Sequence, residues 1–148
     1  MSKTQFDKTL IIQEIREFLK QLDWPQDNLS SEIIRTFYQG DYGVSQVLIK
    51  IQEEDMCMLI DPLIDKNNKQ WGESVINLIS AMGQEIKHVD IGIDQDGDIF
   101  AKVNLTLSHI NLERFQCLLL GLCQVAENIL VPILQANAFD NLRVHSSL

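Results

Sequence analysis

The sequence predicts an α+β protein, a single domain over residues 1–148, ordered helix, three strands, helix, two strands, long helix. Three observations carry this expectation. Apolar residues recur at helical spacing in three separated stretches. Between those stretches the pattern switches to strict apolar–polar alternation, and turn residues sit where the period changes. The 148 residues suffice for one core, since a chain of this size buries about two-thirds of its unfolded surface without needing disulfides or metals.

Residues 6–22 form the first expected helix. Ile11, Ile15, Phe18 and Leu22 share one face, with Leu19 beside them. Thr4 is a candidate cap, and Pro25 stops the helix beyond Trp24. Ile33 to Gln39 is the first strand, rich in β-branched and aromatic residues and closed by Gly40-Asp41-Tyr42-Gly43. Val44 to Glu53 alternates Val47, Ile49 and Ile51 against Gln46, Lys50 and Gln52. After a polar turn at Glu53-Glu54-Asp55, Met56 to Ile60 returns as the third strand. Pro62 lacks an amide donor, so this strand is expected to end there or lie at an edge. Loops of two or three residues both leave apolar residues facing inward, and the register of this hairpin stays open. A loop at 65–69 then leads to a helix with Trp71, Val75, Leu78, Ile79, Met82 and Ile86 on one stripe.

The next hairpin has a register that parity decides. A two-residue Asp96-Gly97 loop would set Ile93 opposite Phe100 and mix the two faces. A three-residue loop, Gln95-Asp96-Gly97, pairs Ile93 with Ile99, Ile91 with Ala101 and Val89 with Val103, with Gly97 in the left-handed position of a G1 bulge. It also sets Asp90 opposite Lys102, and Phe100 over Gly92. The last helix is expected over 111–135, capped by Ser108 or Asn111. Leu112, Phe115, Leu118, Leu119, Leu122, Ala126, Ile129 and Ile133 make its broad inner face at ~100° per residue. Pro132 is expected to kink its final turn. Residues 137–148 read as a loose tail to which Phe139 and Leu142 could dock.

Charge and motifs exclude several functions. With 21 acidic and 12 basic side chains the formal charge is −9, which disfavours phosphate backbones and anionic membrane surfaces. No run of about 18 uncharged apolar residues is present, so no span is expected, and the first residues lack an apolar leader core. Cys57, Cys117 and Cys123 form no CxxC and fit a reducing cytoplasm, as packed free thiols. Asp94, Asp96 and Asp98 do not make an EF-hand, because the sixth and twelfth positions are Ile99 and Leu105. They read as an acidic hairpin tip. His88, on the outer strand face, His109 and His145 have no ligand neighbours at metal spacing. Trp24 and Trp71 read as lids over the core. No nucleophile elbow, phosphate loop or zinc motif occurs.

The last helix carries the informative departure. Its polar side bears Glu113, Gln116, Gln124, Glu127 and Asn128, yet Leu120 and Val131 project there too, with Cys117 and Gly121 adding small or apolar surface. These four are the candidate partner-binding residues.

The element order, the acidic balance, the hairpin Ile91-Gly92-Ile93-Asp94-Gln95-Asp96-Gly97-Asp98 and the apolar helix from Leu112 together resemble the type III secretion chaperone-like fold and, within it, the YbjN-like proteins. The resemblance covers nearly the whole chain. It implies a curved antiparallel sheet with helices packed mainly on one face, often as a homodimer. Secretion chaperones of this fold bind an extended stretch of a partner in apolar grooves, sometimes with sheet-edge pairing. It carries over no site residues. The expected protein is therefore a non-enzymatic, cytoplasmic binding module of chaperone-like or regulatory character. It would act as a homodimer with a protein client, without cofactor, metal, nucleic acid or membrane. The alternative is a small-molecule-binding domain or minor enzyme using a pocket between sheet and helices, which would need convergent polar groups.

Overall fold

The computed structural model describes residues 8–64, 70–86 and 88–146. The chain runs α1 (Lys8–Gln21), β1 (Gln26–Asn28), β2 (Ile33–Gly40), β3 (Gly43–Gln52), β4 (Asp55–Ile64), α2 (Glu73–Glu85), β5 (Asp90–Ile93), β6 (Ile99–Thr106), one 3-10 turn (Leu107–His109) and α3 (Leu112–Ser146). Six strands form an open sheet in the order β1-β2-β3-β4-β6-β5. Every neighbouring pair is antiparallel. The expected α+β architecture is what the chain adopts.

Alternation assigns the two faces of the sheet. Ile34, Val47, Ile49, Ile51, Met56, Met58, Ile60, Ala101, Val103 and Leu105 point inward and are buried. Ile12, Ile15, Phe18 and Leu19 of α1 and Phe115, Leu119, Leu122, Cys123 and Ala126 of α3 close over them. A second cluster joins Val75 and Ile79 of α2 to Ile99, Ile129 and Ile133. The helices' apolar stripes thus meet one face of the sheet, and burying them on both sides is what holds the layers together.

Parity predicts the register of the β5–β6 hairpin correctly, although β5 begins at Asp90 and the expected Val89–Val103 pair is not part of the ladder. Ile93 pairs with Ile99, Ile91 with Ala101, Gly92 with Phe100 and Asp90 with Lys102. The Gly97 amide donates to the Asp94 carbonyl at 3.0 Å, that of Asp94 to the Asp98 carbonyl at 2.9 Å, and Gly97 has φ +87°. That is a type I turn with a G1 bulge. The ring of Phe100 lies where a side chain on Gly92 would go, 2.9 Å from a Cβ built there. Ile93, expected inward, is 38% exposed: it sits at the hairpin tip on the sheet's edge strand, beyond full cover from α2. The open β3–β4 register resolves as a two-residue loop, with Gln52 opposite Asp55 and Glu53 in the left-handed region at φ +53°.

Four expectations are corrected. The third strand does not end near Pro62 or lie at an edge. It runs on to Ile64 in the middle of the sheet, with an irregular pairing between Ile60 and Ile64 that accommodates the missing amide. An unforeseen strand, the polar β1, pairs with β2. It is anchored by Thr36 Oγ1 donating to the Pro25 carbonyl at 2.6 Å and by Arg35 bound to Asp27 at 2.8 Å. The last helix does not stop near 135 with a loose tail from 137: it continues through Pro132 to Ser146. Phe139 and Leu142 do not dock but are exposed, at 53% and 69%, because the turn they occupy faces α2 with Asp140 instead. Finally, although no uninterrupted apolar run exists, α3 is long and apolar enough to cross a membrane by length and composition. Between Arg114 and Asp140 its only charged residue is Glu127. In this fold its inner face is the core.

Asn111 is the residue that caps α3, its Oδ1 accepting from the Arg114 amide at 2.8 Å. Thr4 and the loop at 65–69 lie outside the described residues. Trp24 stacks on Tyr38 with 6.1 Å between ring centres, as a lid on the core. Trp71 does more, since its indole N–H donates to the Gly97 carbonyl at 2.6 Å and ties the start of α2 to the hairpin tip.

Candidate functional site

Two surfaces stand out once the core is assigned. The first is the outer side of α3. Leu120 and Val131 project away from the buried stripe and are half-buried, as is Gly121, while Cys117 is exposed. Nothing lies within 4 Å of a Cβ built at Gly121. Eleven residues beyond Val131, almost the same angle is occupied by Leu142. The stripe is therefore longer than the sequence suggested, because the helix itself is longer. The one charge in this part of α3 is engaged elsewhere: the Glu127 carboxylate accepts from the Asp41 amide and holds the β2–β3 turn. Gly40 leaves room for that carboxylate, which a Cβ there would displace.

The second surface is the sheet's other face, on which no described helix packs. Its central side chains mix apolar, basic, acidic and amide groups. Cys57, Leu59 and Asp61 run along β4, Lys50 and Leu48 lie beside them on β3, and Asn104, Lys102 and Phe100 on β6. Lys50, Gln52, Cys57, Leu59, Asp61, Asp94, Phe100, Lys102 and Asn104 line an open cleft of about 330 Å³. The Lys102 ammonium sits 5.6 Å from the centre of the Phe100 ring. Sequence reading set Lys50 and Gln52, and Phe100 and Lys102, on polar or outer strand faces; it assigned no face to Cys57, Leu59 or Asp61 and did not bring the set together. The β-strand parities locate the face, whereas the cleft depends on the β4–β6 register, which links strands forty residues apart.

One end of the cleft is acidic. Carboxylate oxygens of Asp61, Asp94 and Asp98 come within 4.8 Å of one another. Asp94 Oδ1 accepts from the amides of Asp96 and Asp98, each at 2.9 Å. The carboxyl of Asp61 is pushed up to about 6, mainly by burial, then by its hydrogen bond to Asp94 and by the charges of Asp94, Asp98 and Asp96. That same hydrogen bond, with the surrounding backbone amides, holds Asp94 below the usual carboxylate range. Below about pH 6 the two acids hold one proton between them, which Asp61 keeps.

A pH prediction follows. The carboxyl of Asp61 binds its proton more tightly folded than unfolded, so its contribution to stability is complete below pH ~4 and is lost as pH rises through about 6. Asp61→Asn, which keeps a donor toward Asp94 without the charge, is expected to raise Tm at pH 8 by about 3 °C. This corresponds to about 1 kcal/mol after allowance for solvent screening. At pH 4 the variant and the parent should melt together. Thermal melts from pH 4 to 8 check both arms.

The remaining candidates from the sequence separate. Cys123 is buried, its thiol pushed up to about 12 by that burial. Cys57 is half-buried on the cleft floor, where burial raises its thiol despite Lys102 and Lys50. Cys117 is not packed but exposed, since it lies on the outer side of α3. His88 is exposed just ahead of β5 with φ +73°; the side chains of His109 and His145 lie outside the description. Among the described residues the buried polar ones are Thr36, under the helices on β2, and Asp140, between α3 and α2. Both bind backbone groups: Thr36 as above, and Asp140 by accepting from the amides of Ser74 and Val75.

No sequence-family model matches the chain, and no curated protein matches it by sequence. Solved structures do. A chain of the ExsC–ExsE complex superposes with a TM-score of 0.62 at 18% identity, covering 82% of this chain and 92% of that one. The Yersinia pestis type III secretion chaperone SycH in complex with a fragment of YscM2 gives 0.50 at 13%, covering 77% and 94%. YbjN from E. coli gives 0.54 at 16%, covering 86% and 92%. At such identities the likeness is one of fold.

Proposed function

Because its fold is that of a type III secretion chaperone and of YbjN, we propose that this chain is a non-enzymatic protein-binding module. In this reading it is chaperone-like or regulatory, acts as a homodimer, and takes a protein client on the apolar surface of α3 and the uncovered sheet. The observation that carries the reading is the outer stripe of α3. A helix already sealing the core on one side carries half-buried Leu120 and Val131 and an exposed Leu142 on the other, and apolar surface turned outward in this way is stabilised by a partner. The comparison structures, two of them protein–protein complexes, support the same class. The alternative of a small-molecule pocket between sheet and helices has less support, since the buried polar residues Thr36 and Asp140 are already taken up by backbone groups. A single domain is supported by Leu63, Ile86, Ile91 and Val125, which pack against both core clusters. The three free thiols support the cytoplasm as its setting.

The test is the double variant Leu120→Glu, Val131→Glu. Both positions lie outside the core clusters, so Tm should move by no more than about 3 °C. Sedimentation velocity should show self-association weakened at least about tenfold, the effect of roughly 1.4 kcal/mol at an interface. An unchanged association state together with undiminished capture of the same partners would falsify this assignment of the surface.

A further inference from the structure

The cleft on the uncovered sheet face is charged at both ends, and the ends carry opposite signs. Lys50 pairs with Cys57 across β3–β4, and Asn104 pairs with Cys57 from the other side. Lys102 lies opposite Leu59. Two ammonium groups and an amide therefore gather around Cys57 and Leu59 in a chain whose net charge is −9. Asp90, which pairs with Lys102 from β5, is the acidic neighbour on that side. At the other end stand Asp61 and Asp94, with Asp98 close by. The floor between is Leu59 and Phe100.

Spacing turns this into a recognition rule. Cys57, Leu59 and Asp61 are alternate residues of one strand, so Lys50, opposite Cys57, and Asp61 stand about 13 Å apart along it, with Leu59 midway and Lys102 flanking that midpoint. An extended peptide presents alternate side chains at the same interval. We propose that this cleft binds an extended client segment of the pattern acidic–x–apolar–x–basic. Its carboxylate would sit between Lys50 and Lys102, its apolar side chain on Leu59 and Phe100, and its cationic side chain at Asp61 and Asp94. This rests on the protein-binding reading above and names the chemistry of the client. Opposite charges at the two ends fix the direction in which a given segment lies along β4, since the same segment turned end for end would meet like charges. Side chains rather than backbone pairing would carry this recognition, because the cleft lies on the face of central strands and not at an edge.

The probe is a fluorescein-labelled peptide containing Glu-Thr-Leu-Thr-Arg, followed by anisotropy on the full chain. Saturable binding is expected, weakened by added salt. Replacing the peptide's Glu and Arg by Gln, or using the protein variant Lys50→Glu, Lys102→Glu, should each reduce affinity at least tenfold. A peptide with Arg in place of Glu should recover binding to that variant. Circular dichroism confirms that the variant folds, and Lys50→Gln, Lys102→Gln provides a milder second case with the same expected direction. No saturation up to about 1 mM peptide, or equal binding of the uncharged peptide, overturns the proposal. Loss of the cleft with association still sensitive to Leu120→Glu, Val131→Glu would leave the helix reading standing. The opposite pattern would separate the two the other way.

Discussion

Phe115→Ala is expected to destabilise the protein by about 3–5 kcal/mol, the range for removing a large aromatic side chain from a close-packed core. The ring is fully buried and lies 5.5 Å from that of Phe18, tilted by 43°. It occupies the first turn of α3, where its own amide donates to the Asn111 carbonyl at 2.8 Å. The contact joins the first helix to the last over the same face of the sheet. A Tm lowered by about 10 °C or more, with a lower urea midpoint, is the expected reading. A loss below about 1 kcal/mol would mean that neighbouring side chains collapse into the space, contrary to the tight packing described here.

Asp140→Ala is expected to cost about 2 kcal/mol. The cap position of α2 is Gly72, which has no side chain with which to satisfy the first amides. Asp140 supplies the missing acceptor from α3, its two oxygens each 3.2 Å from the amides of Ser74 and Val75. Its charge also opposes the positive end of the helix. Loss of a cap costs roughly 1 kcal/mol, and amides left buried without a partner add to that. Gly72 must stay bare for this arrangement, because a Cβ there would lie 2.4 Å from Asp140 Oδ2. Urea unfolding measures the total. Amide hydrogen exchange should show a loss of protection at Ser74 and Val75 beyond that of the rest of the protein; no excess loss there would argue against a local cap.

The two hairpins show why sequence legibility varied. The β5–β6 register was readable because Gly97 and the alternation of Ile91, Ile93, Ile99 and Ala101 agree on one loop length. The β3–β4 register was not, because Ile51 and Met56 allow apolar partners under two alignments. β1 is polar and three residues long, so it carries no periodicity to detect; β2 and the side chains of Thr36 and Arg35 make it a strand. The reach of α3 was missed because Pro132 and the polar residues after 135 resemble a stop. A long-range contact, that of Asp140, continues it. The angular positions of Leu120, Val131, Cys117 and Gly121 on α3 follow from helical spacing alone; their role as a partner surface is the proposal made above. The cleft could not, because its charges come from three strands and a turn whose alignment is tertiary.

The Asp140 bridge also has a consequence in time. A ribosome makes the amides of α2 well before their acceptor, which follows Ser74 by 66 positions. Until that carboxylate emerges, a nascent chain holds α2 with an open first turn, so the second helix matures only when the last one arrives. Order of synthesis and order of consolidation therefore run in opposite directions at this point of the molecule.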